Sequence, residues 1–115
     1  MSTNLMFLLP TTTGLIFLVV GFILFKFPPR NINSFYGYRT RSSMKNQARW
    51  DFAQQYSSKE FMKLGLVLAL MGLMGFVYQP TIITAKIICA ILIILSVIVL
   101  IVRVETAISS VFKTE

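Results

Sequence analysis

Residues 82–102 read IITAKIICAILIILSVIVLIV, an unbroken apolar run with one charge, Lys86, and neither proline nor glycine. A helix that crosses a bilayer needs roughly 20 predominantly apolar residues at ~1.5 Å rise each. This run meets that length, and two others resemble it, residues 5–27 and 61–78. The fold expected is therefore all-α: an integral membrane bundle of three helices, in one domain over residues 1–115.

Working backwards from residue 82, only Gln79, Pro80 and Thr81 separate the second run from the third. A connection that short forces the two helices to be antiparallel neighbours. The first run resembles a secretory signal only superficially. It exceeds an h-region of roughly 7–15 residues and has neither a basic leader nor a small-x-small cleavage site, so it is expected to be a retained span. Pro10 either opens that helix or interrupts one that starts near Leu5, and the hydroxyls of Thr11, Thr12 and Thr13 can satisfy carbonyls it frees.

Composition agrees with lipid as the solvent. Hydrophobic side chains make up 56% of 115 residues, above the roughly 45–50% of soluble domains. A net charge of +7 could signal nucleic acid, but the cations cluster. Lys26, Arg30, Arg39, Arg41, Lys45, Arg49, Lys59 and Lys63 lie in or beside the first connection, opposed there only by Asp51 and Glu60. By the positive-inside rule this places the N-terminus outside and the C-terminus in the cytoplasm, with the anionic lipid surface as the partner and no nucleic acid. Lys86 lies about a turn inside the third run, roughly 6 Å deep, and can snorkel to the headgroups; the alternative is that it faces the bundle and pairs with an anionic group.

Small residues mark where helices can approach: Gly14 and Gly21 on the first, Gly65, Ala69 and Gly72 on the second, Ala85, Cys89 and Ser96 on the third. They suit either plain packing or the wall of a groove. The single Cys89 lies in an apolar run, and the chain has no histidine. The commonest general base, metal ligand and pH sensor are thereby removed, and no disulfide forms within the chain. No metal, cofactor or catalytic residue is expected.

The basic connection, residues 28–60, is long enough to have structure of its own. Pro28 and Pro29 stop the first helix, Asn31, Asn33 and Gly37 suit turns, and Phe35, Tyr36 and Tyr38 suit a membrane interface. Residues 43–56 lack proline and glycine, and Met44, Ala48, Phe52 and Tyr56 recur every four residues. That stripe predicts an amphipathic helix lying in the headgroup plane with Lys45 and Arg49 beside anionic lipid. Ser57-Ser58-Lys59-Glu60 has capping-box form and is expected to start the second span with a change of direction.

The string Asn33-Ser34-Phe35-Tyr36-Gly37-Tyr38-Arg39-Thr40, followed by Ser43-Met44-Lys45-Asn46 and Trp50-Asp51-Phe52-Ala53, resembles the signature of the bacterial SdpI-type membrane protein family. The resemblance implies a multi-pass protein of the bacterial plasma membrane, related to immunity proteins that protect a cell from a secreted, membrane-active peptide toxin. It also implies, for some relatives, recruitment of a cytoplasmic repressor. The chain is expected to be a short form of that family, without the additional N-terminal membrane region of longer members. On this reading Asn33, Tyr36, Gly37, Tyr38, Arg39, Thr40, Asn46 and Trp50 form a partner- or ligand-binding constellation, with Arg39 supplying a charged donor fork and Trp50 a flat contact surface. The same residues also admit a plain anchoring role.

The function expected is non-enzymatic: protection against, or sensing of, such a peptide. The alternative is a small membrane transporter or subunit acting as a homo-oligomer, although carriers usually keep an ionisable group in mid-membrane and the acidic residues here, Asp51, Glu60, Glu105 and Glu115, lie outside the runs or at their ends.

Overall fold

The computed structural model describes residues 4–113. Among them the chain is all-helical, with no strand: α1 is Leu5–Lys26, α2 Gln47–Met71, continued by a 3-10 helix Gly72–Phe76, and α3 Ile82–Val111. The molecule measures 54 × 25 × 21 Å. α1 runs antiparallel to α2, and α3 antiparallel to α2, so Phe7 meets Gly75 while Phe52 meets Phe112.

Asn4 starts α1 by accepting the Phe7 N–H, and Pro10 lies buried within the helix rather than at its start. The Thr11 hydroxyl, expected to cover a freed carbonyl, is buried with no hydrogen-bond partner among the described residues, turned instead against Gly72 of the neighbouring 3-10 helix. α1 and α2 meet backbone on backbone. A Cβ on Gly14 would stand 2.5 Å from the Gly65 carbonyl oxygen, and one on Gly65 would stand 2.6 Å from the Gly14 carbonyl oxygen. The small-residue positions thus act as a packing seam, extended by Gly21 against Ser58 and Gly75 against Phe7.

α3 touches this pair in two places. Near its start Ala85 and Cys89 pack with Met6, and near its end Leu100, Val104 and Ile108 pack with Tyr38 and Ala53. Between them no residue from 90 to 99 is buried. Lys86 is exposed, not turned into the bundle.

α1 and α3 are long and apolar enough to cross a membrane, and only 22% and 17% of their most apolar stretches are buried. The core helix of a soluble protein would be mostly buried. Instead Leu15, Val19 and Phe22 on α1 and Ile87, Ile91, Ile94 and Ile98 on α3 stand exposed, a belt that lipid covers without cost and water does not. The middle helix departs from expectation. Its apolar part begins only at Phe61 and ends at Phe76, roughly 26 Å of α and 3-10 rise together. That falls short of a ~30 Å hydrocarbon core, so α2 is not a clear span.

A second correction concerns residues 43–60. There is no separate surface helix and no change of direction at Ser57. α2 begins at Gln47, capped by the Asn46 side chain on the Arg49 N–H, and runs unbroken to Met71. Met44 lies outside it and Ala48 is exposed. The buried face is Arg49, Trp50, Ala53, Gln54, Ser57, Ser58 and Glu60, more polar than the stripe that hydropathy picks out. Ser57 and Ser58, fully buried in mid-helix, donate back to the Gln54 and Gln55 carbonyls, the bonding that helical serines adopt when no cap is needed. Arg49 is likewise buried and does not face lipid headgroups.

Candidate functional site

The connection between α1 and α2 folds back under the end of α1 and against α3. Tyr36 ties it to α1 by donating its hydroxyl to the Phe27 carbonyl at 2.6 Å, in the last turn, where carbonyls lack helical partners. Asn33 makes the preceding turn, its Oδ1 accepting from the Phe35 and Tyr36 N–H groups at 2.9 and 2.8 Å. Gly37 then takes φ +108°, and a Cβ there would meet Gln54 Oε1 at 2.6 Å and Pro29 Cγ at 2.7 Å. Glycine alone fits both the dihedral and the space.

That turn delivers Tyr38 into the interior, 7% exposed. Its N–H donates to Gln54 Oε1 and its carbonyl accepts from Gln54 Nε2, both at 2.7 Å. The Tyr38 hydroxyl donates to Glu105 Oε2 on α3 at 2.8 Å, and the Thr40 hydroxyl donates to the same oxygen at 2.9 Å. Burial first, and then the hydrogen bond to Glu105, push the Tyr38 phenol above its ordinary value, because a phenolate would be dry and beside a carboxylate. Ser43, fully buried, closes the turn: its Oγ accepts the Thr40 N–H, and its own N–H donates to Thr40 Oγ1.

Trp50 is fully buried and its Nε1–H donates to the Pro29 carbonyl at 2.7 Å. It secures the loop from beneath and offers no surface to a partner, which corrects the expected contact role. A cation does lie over an aromatic ring nearby, Arg49 at 5.5 Å from the centroid of Phe112. Arg49 also donates from Nε and Nη2 to the carbonyl and hydroxyl of Ser42. A second link between α2 and α3 joins Arg103 Nε to the buried Glu60 at 2.9 Å.

The eight residues read from the sequence therefore divide. Tyr36, Gly37, Tyr38, Arg39 and Thr40 come together, Trp50 lies below them, and Asn33 and Asn46 serve as local turn and helix caps. Gln54, Ser43 and Glu105 hold this arrangement and were not singled out. Gln54 and Ser43 lie within or beside the quoted string, but Glu105 is 67 residues from Tyr38, and no local pattern joins them.

Residues 36–40 form the floor of a groove of about 470 Å³ between α1 and α3. Its walls are apolar: Val20, Ile23 and Leu24 from α1, and Val97, Leu100 and Ile101 from α3. Arg39 is exposed and its guanidinium bonds the Ser34 carbonyl. The groove thus joins a hydrocarbon-facing slot to a charged, hydrogen-bonding base, a shape that suits an amphiphile and not a small polar substrate. Among the described residues no group of three or more His, Cys, Asp or Glu side chains is placed to hold a metal ion.

Residues 30–104 match the SdpI/YfhL protein family. The chain is 46% identical over 61 residues to the uncharacterized protein YfhL of Bacillus subtilis (strain 168), a match that takes 53% of this chain and 56% of that protein. It therefore spans little more than half the length of that relative. No solved structure matches. The match covers the groove floor, α2 and α3 almost to Glu105, and with its exposed apolar helices the chain is a membrane protein that belongs to the SdpI/YfhL family.

Proposed function

We propose that this chain is a non-enzymatic protein of the bacterial plasma membrane that protects against, or senses, a secreted membrane-active peptide, and that the peptide engages the groove between α1 and α3. The observation that carries this reading is the floor of that groove: five consecutive residues of the family string, 36–40, lie at the foot of apolar walls. A membrane-active peptide is itself amphipathic, with an apolar face to lay along Val20, Leu24 and Val97 and polar groups to meet Arg39 and Thr40.

In this reading the basic end faces the cytoplasm, as the cluster of exposed Lys26, Arg30, Arg41, Lys45 and Lys59 favours. A cytoplasmic repressor, as the resemblance implies, would dock at that end. The test is survival. Cells producing the chain and challenged with a secreted membrane-active peptide toxin survive better than cells producing Arg39→Ala at equal membrane abundance. Equal killing of the two overturns the proposal.

A further inference from the structure

The groove between α1 and α3 opens sideways into the exposed apolar belt, since Ile23, Val97 and Ile101 on its walls are 42%, 40% and 42% exposed. It lies in the last turns of α1 before Lys26 and in the turns of α3 just before Arg103, where the apolar runs give way to charge. Whatever fills such a slot in a membrane brings hydrocarbon to the walls and its polar part to residues 36–40.

We infer that this groove holds an anionic phospholipid of the adjoining leaflet, one acyl chain along Val20, Leu24, Val97 and Ile101 and its phosphate at Arg39. Charge decides the occupant. Arg39 is exposed, and among the described residues its one hydrogen bond goes to the Ser34 carbonyl, whereas a guanidinium carries five N–H donors. The remaining donors of this planar fork suit a bidentate acceptor such as a phosphate, which offers two oxygens to it. Among the described residues Glu105 is the one carboxylate bonded to the floor, and its Oε2 already accepts the Tyr38 and Thr40 hydroxyls. That anion keeps the phosphate away from Thr40 and at Arg39. The other exposed cations of this end, Lys26, Arg30, Arg41, Lys45, Lys59, Lys63, Arg103 and Lys113, do not line the groove. They attract anionic lipid in general, while Arg39 selects the molecule that is seated. The lipid needs no toxin to bind, although it uses the groove that the proposed function assigns to the peptide.

Native mass spectrometry of the full chain, released from micelles mixed with phosphatidylglycerol or phosphatidylethanolamine, tests this. The wild type retains phosphatidylglycerol about fivefold over phosphatidylethanolamine, the ratio that ~1 kcal/mol for a cation near an anionic headgroup yields. Arg39→Gln abolishes the preference, Lys45→Gln keeps it, and Val97→Trp, which fills the slot, lowers retention of both lipids. Excess inorganic phosphate displaces none of it. No preference in the wild type, an equal loss in Lys45→Gln and Arg39→Gln, or full retention by Val97→Trp overturns the inference. So does displacement by inorganic phosphate. Circular dichroism confirms that each variant compared is folded, and Arg39→Lys, which keeps the charge and loses the fork, retains a preference between those of the wild type and Arg39→Gln. Protection of cells without lipid preference overturns this inference and leaves the proposed function standing; lipid preference without protection does the reverse.

Discussion

Gln54 holds the backbone of Tyr38 from both sides, accepting its N–H and donating to its carbonyl at 2.7 Å each. One side chain thereby supplies what a neighbouring strand would supply to a residue that is otherwise buried away from water. Gln54→Leu keeps the volume and strands both groups, each costing ~1–3 kcal/mol when left unpaired. Thermal unfolding followed by circular dichroism in detergent shows a clear loss of stability, with the loop becoming susceptible to protease near Arg39.

The phenol of Tyr38 is held above its ordinary value of 10.0 by burial and by Glu105. When the chain unfolds, that phenol ionises at its ordinary value, so the unfolded state binds fewer protons above pH 10. The stabilisation from this group is complete below about pH 10 and declines as pH rises through the raised folded value. Tyr38→Phe removes that alkaline decline. A set of unfolding curves from neutral pH to pH 11 measures it, and identical alkaline slopes for the two proteins refute it.

Backbone contact between Gly14 and Gly65 leaves no room for one added methyl group on either side. Gly14→Ala and Gly65→Ala each force α1 and α2 apart and cost about 1–3 kcal/mol. Ala90→Leu, at an exposed position of α3, leaves stability near that of the wild type. Melting temperatures of the three variants in one detergent decide the matter.

Trp50 is the single tryptophan of the chain and is fully buried with its Nε1–H paired to Pro29. Its fluorescence is therefore blue-shifted and resistant to iodide and acrylamide. Trp50→Phe leaves the Pro29 carbonyl without that donor and costs roughly 1–3 kcal/mol. Red-shifted, freely quenched emission from the wild type would contradict the buried position.

Sidedness is tested by Arg41→Cys, since Arg41 is exposed at the basic end and the native Cys89 is buried. A membrane-impermeant maleimide leaves this variant unmodified on intact cells and modifies it after lysis. Modification of intact cells reverses the assigned orientation and leaves the helical arrangement unaffected.

How much of this is legible in the sequence depends on what each residue packs against. α1 and α3 are plain from their apolar runs because lipid imposes a length and a composition that hydropathy reads directly. The first half of α2 is not. Its inner face meets a loop whose backbone needs hydrogen bonds, so Gln54 goes inside, and Ser58 goes inside against Gly21 of α1, while of the apolar stripe Ala48 is exposed and Phe52 and Tyr56 are only half-buried at the edge of the core. Asn46 is the true helix start, whereas Ser57 and Glu60 show capping-box spacing in mid-helix. At the site, the string around residues 36–40 is conspicuous, yet its partner Glu105 is contributed by a distant part of the chain. Trp50 looks like a contact surface by residue type and becomes internal support once the loop lies over it.

α1 and α2 are joined along a seam with no slack, while α3 is fastened near its two ends and between residues 90 and 99 is at most half-buried, at Leu92, Ile93 and Ser96. Such a helix is held like a bow, at its tips. The slot beside α1 sits where the loosely held stretch of α3 runs into its lower clamp, with Val97 on the loose side and Leu100 in the clamp itself.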